Sequence, residues 1–229
     1  MAEITLKFPD GSSKTFKKGI TGKEVIKELP QSIRKSALAV KTNENVLGLS
    51  QPIEDSGDFL VLTFDDDEGK NVFWHSSAHV LATAIHHLFP KALPAIGPAI
   101  KEGFYYDFYN LKLSSENFPR IEKEIKKILQ QNFEFQRKEI SKENALEIFK
   151  KNKFKIELIQ QLKKPSTYTD GDFTDLCRGP HLLSTGVIKA LKLTKVSGAY
   201  WKADSKRDTA NDQEILSGNC IFCLSFARR

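Results

Sequence analysis

Two short stretches about a hundred residues apart carry the side chains most able to do chemistry. One is Phe73-Trp74-His75-Ser76-Ser77-Ala78-His79-Val80, and the other is Asp175-Leu176-Cys177-Arg178-Gly179-Pro180-His181. Each offers two groups four positions apart that can ligate a metal or move a proton: His75 with His79, and Cys177 with His181. Around the first pair Ala78, Leu81, Ile85 and Leu88 recur at three- and four-residue steps, and Pro90 ends the run, so a helix is expected. A spacing of four puts the two imidazoles on one face, one turn apart. They flank the apolar stripe, so this helix is expected to bury one face and present the other. In the second stretch Gly179-Pro180 rules out a comfortable helix, because proline lacks a donor and restricts its predecessor. A tight turn that aims the thiol and the imidazole the same way is expected instead.

Three readings of these four residues compete. In the first, two surface histidines on a helix and a buried cysteine are unrelated. In the second, three imidazoles and a thiolate hold zinc, for which they are permitted ligands. In the third the site is metal-free and hydrolytic, with a histidine activating water while the other groups hold substrate. Spacing alone does not separate the last two.

The elements around these stretches read in order. Ile4, Leu6 and Phe8 alternate with polar residues before the turn Pro9-Asp10-Gly11-Ser12, which opens a β-hairpin. Thr21-Gly-Lys-Glu24 has capping-box spacing and starts a short helix that runs to Pro30. Strands follow near Ala37–Lys41 and Phe59–Phe64, completing a small β-grasp, ubiquitin-like domain over residues 1–64. The acidic run Asp65–Gly69 reads as a linker, 65–70. A mixed α+β domain occupies 71–208. Within it Leu93–Lys101 is a loop, Gly103–Asp107 a strand, and Pro119–Gln131 a helix with Ile121, Ile125 and Ile128 buried. Phe133–Ile140 reads as a strand, and Ser141 caps a helix to about Asn152. Phe154–Ile159 is ambiguous between strand and helix. Tyr168–Gly171 is a turn signal, with strands at Phe173–Leu176 and Leu191–Trp201. His86 sits three turns beyond His75, ~16 Å along a helix, too far to be a third ligand.

Composition narrows the class. Forty per cent hydrophobic content with sixteen phenylalanines in 229 residues suits a folded, soluble protein. No apolar run approaches the ~20 residues of a membrane span, and the alternating amino terminus is no signal peptide. Three cysteines argue for a reducing cytoplasm rather than a disulfide framework. A net charge of +6 permits a polyanionic partner such as RNA without requiring one.

Four separated motifs give a more specific expectation. His75-x-x-x-His79, Ala95-Ile96-Gly97-Pro98 running into Gly103-Phe-Tyr-Tyr-Asp107, Asp175-x-Cys177-Arg178-Gly179-Pro180-His181, and Gly198-Ala199-Tyr200-Trp201 occur in the order found in bacterial threonyl-tRNA synthetases. From about residue 3 to about residue 208 the chain resembles the amino-terminal half of that family. The editing domain of alanyl-tRNA synthetase and its free-standing homologues, which bind zinc, is a weaker relative. The resemblance implies that residues 1–64 are the appended TGS domain and 71–208 the editing domain.

It further implies an aminoacyl-tRNA deacylase of the cytoplasm that removes serine wrongly esterified to threonine tRNA. His75 and His79 would orient water and the tRNA terminus, and Cys177 and His181 would shape the pocket and relay protons. Lys155, matching a lysine of the family's editing pocket, would offset developing negative charge. Asp175 would hold the substrate ammonium, and Tyr106 would contact the seryl hydroxyl or the terminal adenosine. No cofactor is expected, although His75, His79, Cys177 and His181 could together capture zinc. The rival readings are an inactive remnant, a non-catalytic RNA-binding module, and a zinc-dependent editor of the alanyl type.

After Asp204-Ser205 the resemblance stops. No stretch resembles the family's ATP-binding motifs or anticodon-binding domain, so charging of tRNA is not expected. Residues 209–229 are expected to be a non-native ending, because codons for Ile215–Cys223 read one base later can spell a synthetase-like continuation. Cys220-x-x-Cys223 lacks a second pair and reads as a chance match.

Overall fold

The computed structural model describes residues 2–198 and the backbone of 219–226. Ala199-Tyr200-Trp201, Asp204-Ser205, the start of the expected tail and the side chains of Cys220 and Cys223 lie outside these residues. The architecture is α+β throughout. The chain divides into two units: Met1–Phe73 with Gly179–Leu183, and Trp74–Arg178 with Ser184–Arg229.

The first unit is a five-stranded sheet in the order β2-β1-β5-β3-β4. Its strands are β1 (Glu3–Lys7), β2 (Ser13–Lys17), β3 (Ala39–Thr42), β4 (Asn45–Gly48) and β5 (Gly57–Leu62). β1 pairs antiparallel with β2 across the expected turn and parallel with β5. A parallel pair needs a crossover connection, and the intervening helices supply it, which gives the β-grasp arrangement. Thr21 caps α1 (Gly22–Val25): its hydroxyl accepts from Glu24 N–H while the Glu24 carboxylate accepts from Thr21 N–H. A 3-10 turn, Ile26–Glu28, and α2 (Gln31–Ser36) follow; α2 and β4 had no sequence expectation. Alternation on β1 buries Ile4 and Leu6, which join Val25, Ile26, Val40, Leu49, Ile53 and Phe59 in one apolar core.

Most of the expected linker is helix. α3 runs Asp67–Leu88 with Asp67 and Glu68 in its first turn, where carboxylates are favoured by the exposed backbone N–H groups. Just before it, the Asp66 carboxylate accepts from the Thr63 N–H and hydroxyl. Gly69 is required there, since a Cβ would fall 1.9 Å from the Thr63 carbonyl oxygen.

The second unit contains two sheets and the remainder of α3. One sheet has the order β11-β10-β9, from Phe173–Leu176, Ser166–Asp170 and Gln136–Glu139. The other has the order β12-β13-β8-β6, with β7 paired to β8 off that path. Here β6 is Leu93–Pro94, β7 Ala99–Ile100, β8 Gly103–Tyr109, β12 Ala190–Gly198 and β13 Asn219–Phe226. The backbone of β13 pairs with β12 on one side and β8 on the other. α4 (Phe118–Gln131) buries Ile121, Ile125 and Ile128 as expected. α5 (Lys142–Ile148) ends before Asn152, which instead caps α6 (Lys153–Gln161) by accepting from the Phe154 and Lys155 N–H groups. That cap resolves Phe154–Ile159 as helix. Tyr168–Asp170 is strand rather than turn, and the turn falls at Gly171, with φ +62°. No helix is long and apolar enough to cross a membrane among the described residues.

One expectation about α3 is overturned. Every residue from Val72 to Ile85 except His75 is buried, so the helix has no solvent face over this length. Ser76, Ser77, His79 and Thr83 are polar yet buried, and periodicity in apolar residues alone is blind to such positions.

Candidate active site

Within the second unit, α3, α6, β8, β10 and β11 converge their polar side chains into two hydrogen-bonded groups. The first is built on Asp175 of β11, which is 4% exposed. Lys155, third residue of α6 and 2% exposed, places its ammonium 2.7 Å from Oδ1 and 2.9 Å from Oδ2. Tyr106 of β8 donates its hydroxyl to Oδ2 at 2.6 Å, and the Leu176 N–H donates to Oδ1 at 2.8 Å. Both carboxylate oxygens are therefore occupied by the protein. A buried ion pair of this kind persists only when further hydrogen bonds satisfy it, and Tyr106 and Leu176 supply them. Burial, and then the Asp175 charge, hold the Tyr106 phenol well above its ordinary pKa, so it stays a donor.

Position 97 shows how tightly Tyr106 is seated. A Cβ on Gly97 would lie 2.3 Å from the Tyr106 ring. The glycine of Ala95-Ile96-Gly97-Pro98 thus lets the backbone lie against the aromatic face. Tyr106 also stacks on Phe108, with centroids 4.7 Å apart.

The sulfur of Cys177 lies 3.0 Å from Nε2 of His75. Burial, followed by the neighbouring His79, lowers the His75 pKa to about 4, so the ring is neutral at physiological pH. A hydrogen bond to the Gly97 backbone and the charges of Asp175 and Lys155 also act on it. The sequence-predicted residues His75, Cys177, Asp175, Lys155 and Tyr106 are thereby brought into one electrostatic neighbourhood.

His79 belongs to the second group. Its Nδ1 is 2.7 Å from Asp170 Oδ1, and the Thr83 hydroxyl lies 3.0 and 2.9 Å from the two Asp170 oxygens. Sequence reasoning missed both Asp170 and Thr83. Asp170 was visible only as part of a turn signal, and Thr83 stands four residues after His79, on the same helix face.

His181 is buried and follows the cis Gly179–Pro180 peptide. Its segment, Gly179–Leu183, is assigned to the first unit. In that unit a Cβ on Gly48 would lie 2.9 Å from the His181 carbonyl oxygen. His86 is exposed.

Within the second unit, His75 and Cys177 are candidate metal ligands whose side chains meet. Two ligands of tetrahedral zinc, at ~2.3 Å for sulfur and ~2.0 Å for nitrogen, stand ~3.5 Å apart. At 3.0 Å, His75 and Cys177 are placed to hydrogen-bond one another rather than to flank an ion. His79, the fourth candidate ligand, already directs Nδ1 at Asp170.

Comparison with known proteins bears on these residues directly. The family model described as "Threonyl and Alanyl tRNA synthetase second additional domain" matches residues 166–210, a span that includes Asp170, Asp175, Cys177 and His181. The threonine–tRNA ligase of Protochlamydia amoebophila is 45% identical over 228 residues, which is 98% of this chain and 34% of that protein. Those of Desulforamulus reducens and Caldanaerobacter subterraneus are 46% and 43% identical over 90% and 89% of the chain. The chain spans about a third of the length of the curated relatives it matches. Over that third, it is homologous to the threonine–tRNA ligases.

Proposed function

We propose that the chain hydrolyses serine esterified to threonine tRNA, and that the site is the cluster of His75 and Cys177 with the buried Lys155, Asp175 and Tyr106. The observation that carries this reading is the pairing of Lys155 with Asp175 at 2.7 Å beside a neutral His75. The homology to threonine–tRNA ligases supplies the substrate class.

Hydrolysis of an aminoacyl ester needs an oriented water, a stabilised tetrahedral oxyanion and a proton for the departing ribose oxygen. A pKa near 4 leaves His75 protonated in roughly one molecule in a thousand at pH 7. By exchanging its contact with Cys177, the neutral ring accepts a hydrogen bond from water and aims it at the carbonyl carbon. Lys155, fixed by Asp175, directs positive charge at the oxygen on which negative charge develops. Because both oxygens of Asp175 are engaged, its role becomes that of an anchor for Lys155 and Tyr106 instead of a receptor for the substrate ammonium. Cys177 walls the amino-acid pocket. A nucleophilic thiol would only exchange one activated ester for a thioester that itself needs hydrolysis. His181, four residues beyond Cys177, takes the proton that the attacking water loses and returns it to the ribose oxygen as the ester C–O bond breaks. His79 holds the tRNA terminus and water.

Serine differs from threonine by one methyl, and a binding site gains only ~10–200-fold from such a difference. A second site that admits serine and excludes threonine removes the remaining error. The test is deacylation of seryl- and threonyl-tRNA for threonine by the purified chain. Seryl-tRNA should be hydrolysed at least ~10-fold faster; equal rates would contradict the reading. Hydrolysis confined to mischarged alanine tRNA, and abolished by chelation, would instead favour the zinc-dependent editor.

A further inference from the structure

In the proposed ester hydrolysis His79 has a role, but none falls to Asp170 and Thr83, which bond to it. Asp170 is 0% exposed and His79 3%, so the carboxylate must be satisfied by protein groups. Thr83 lies four residues after His79 and on the same helix face. Its hydroxyl sits within 3.0 Å of both Asp170 oxygens and of the His79 carbonyl oxygen. This brace holds the carboxylate against Nδ1 of His79 at 2.7 Å. The plane of the ring is fixed from other sides by the edges of Phe135 and Phe173, with centroids 5.8 and 5.4 Å away.

We infer that Asp170, braced by Thr83, is a positioning residue that fixes His79 in the tautomer protonated at Nδ1, leaving Nε2 as the proton-accepting nitrogen. An ionised carboxylate only accepts hydrogen bonds, so the hydrogen between Asp170 and His79 belongs to the imidazole. In the neutral ring the other nitrogen then carries the lone pair. This rests on the hydrolytic reading of the site for its consequence, although the tautomer itself does not depend on that reading. In that reading His79 Nε2 is an acceptor and cannot donate a hydrogen bond. The logic is that of a carboxylate orienting a histidine in hydrolytic triads, here on two strands of chain separated by ninety-one positions.

The test is nitrogen-15 NMR of the histidine-labelled whole chain, combined with kinetics on seryl-tRNA. At neutral pH wild-type His79 should show a protonated Nδ1 and an unprotonated Nε2. Asp170→Asn offers an amide that can face the ring with either its oxygen or its nitrogen, so a mixture of tautomers is expected. For that variant kcat should fall at least ~10-fold while KM stays within about threefold, as expected when the orienter of a catalytic histidine is lost. Thr83→Val removes the brace but keeps the carboxylate, so the Nδ1–H form should persist with a smaller loss in kcat. A protonated Nε2 in the wild type would overturn the inference, as would an Asp170→Asn variant with an unchanged tautomer and rate. Wild-type protein with protonated Nδ1 but no deacylase activity would sustain the tautomer assignment and overturn the hydrolytic reading alone.

Discussion

The two units bury different chemistry. In the first unit every buried side chain of residues 2–73 is apolar except Thr42, and the segment Gly179–Leu183 adds His181. Residues 74–178 bury a lysine, a histidine and two aspartates: Lys155, His79, Asp170 and Asp175. Apolar burial stabilises a fold in rough proportion to area, and the β-grasp sheet uses it with little polar burial. Buried charge opposes folding unless it is paired and hydrogen-bonded. The second unit therefore carries a group of interactions that a merely structural domain could replace with leucine. Such groups concentrate where pKa values and charge must be set for chemistry.

The largest expected effect comes from splitting the ion pair. Lys155→Met leaves the Asp175 carboxylate with only Tyr106 and the Leu176 N–H, and should cost about 3–5 kcal/mol in chemical denaturation. It should also reduce seryl-tRNA hydrolysis at least ~100-fold, as loss of an oxyanion-stabilising group does. Adding Asp175→Leu should restore much of the stability and none of the hydrolysis. A single variant as stable as the wild type would erase the contrast between the units.

Phe59→Ala tests the other side. The ring is 2% exposed in the apolar core of the first unit, and its loss should cost about 3–5 kcal/mol. At a temperature where the variant is folded, hydrolysis should be unchanged. A matching loss of catalysis would show that the division of labour is wrong.

A third effect is set by pH. The folded His75 has a pKa of about 4 against an ordinary value of 6.5, so the unfolded chain binds more protons between those values. The contribution is fully present above pH 6.5 and is lost as pH falls toward 4, amounting to about 3 kcal/mol at most. Urea titrations from pH 7 to pH 4 should show this loss in the wild type and a reduced slope in His75→Gln. The smallest effect belongs to the first unit: Thr21→Ala removes the hydroxyl that accepts from the Glu24 N–H while leaving the Thr21 N–H on the Glu24 carboxylate, and should cost about 1 kcal/mol, with no change in hydrolysis.

What the sequence discloses follows the same division. The hairpin at Pro9–Ser12, the Thr21 cap and the Ile121-Ile125-Ile128 face depend on neighbours within a few residues, so local chemistry specifies them. Phe154–Ile159 remained ambiguous because its own residues favour neither state, and the cap at Asn152 decides it. Asp65–Gly69 reads as a linker by charge, but acidic residues and a small residue also suit a helix start packed against Thr63. Within the proposed site, His75, Asp175 and Cys177 stand out in the sequence by type and spacing, and Lys155 only through the family resemblance. Their pairing was not: Lys155 meets Asp175 across twenty positions and Tyr106 meets it across sixty-nine. Asp170 was hidden further, since a Thr-Asp-Gly run carries a turn signal whatever the carboxylate does.

The most direct test of the central claim, that this buried cluster hydrolyses the ester, is single-turnover hydrolysis of seryl-tRNA by His75→Ala, His181→Ala and the double variant. If the residues act as one unit, each single variant loses most of the activity and the double variant loses little more, because such groups are strongly non-additive. Cys177→Ser should lose less than either, as expected of a pocket wall. Full activity in both histidine variants would contradict the account and remove the site from the reaction.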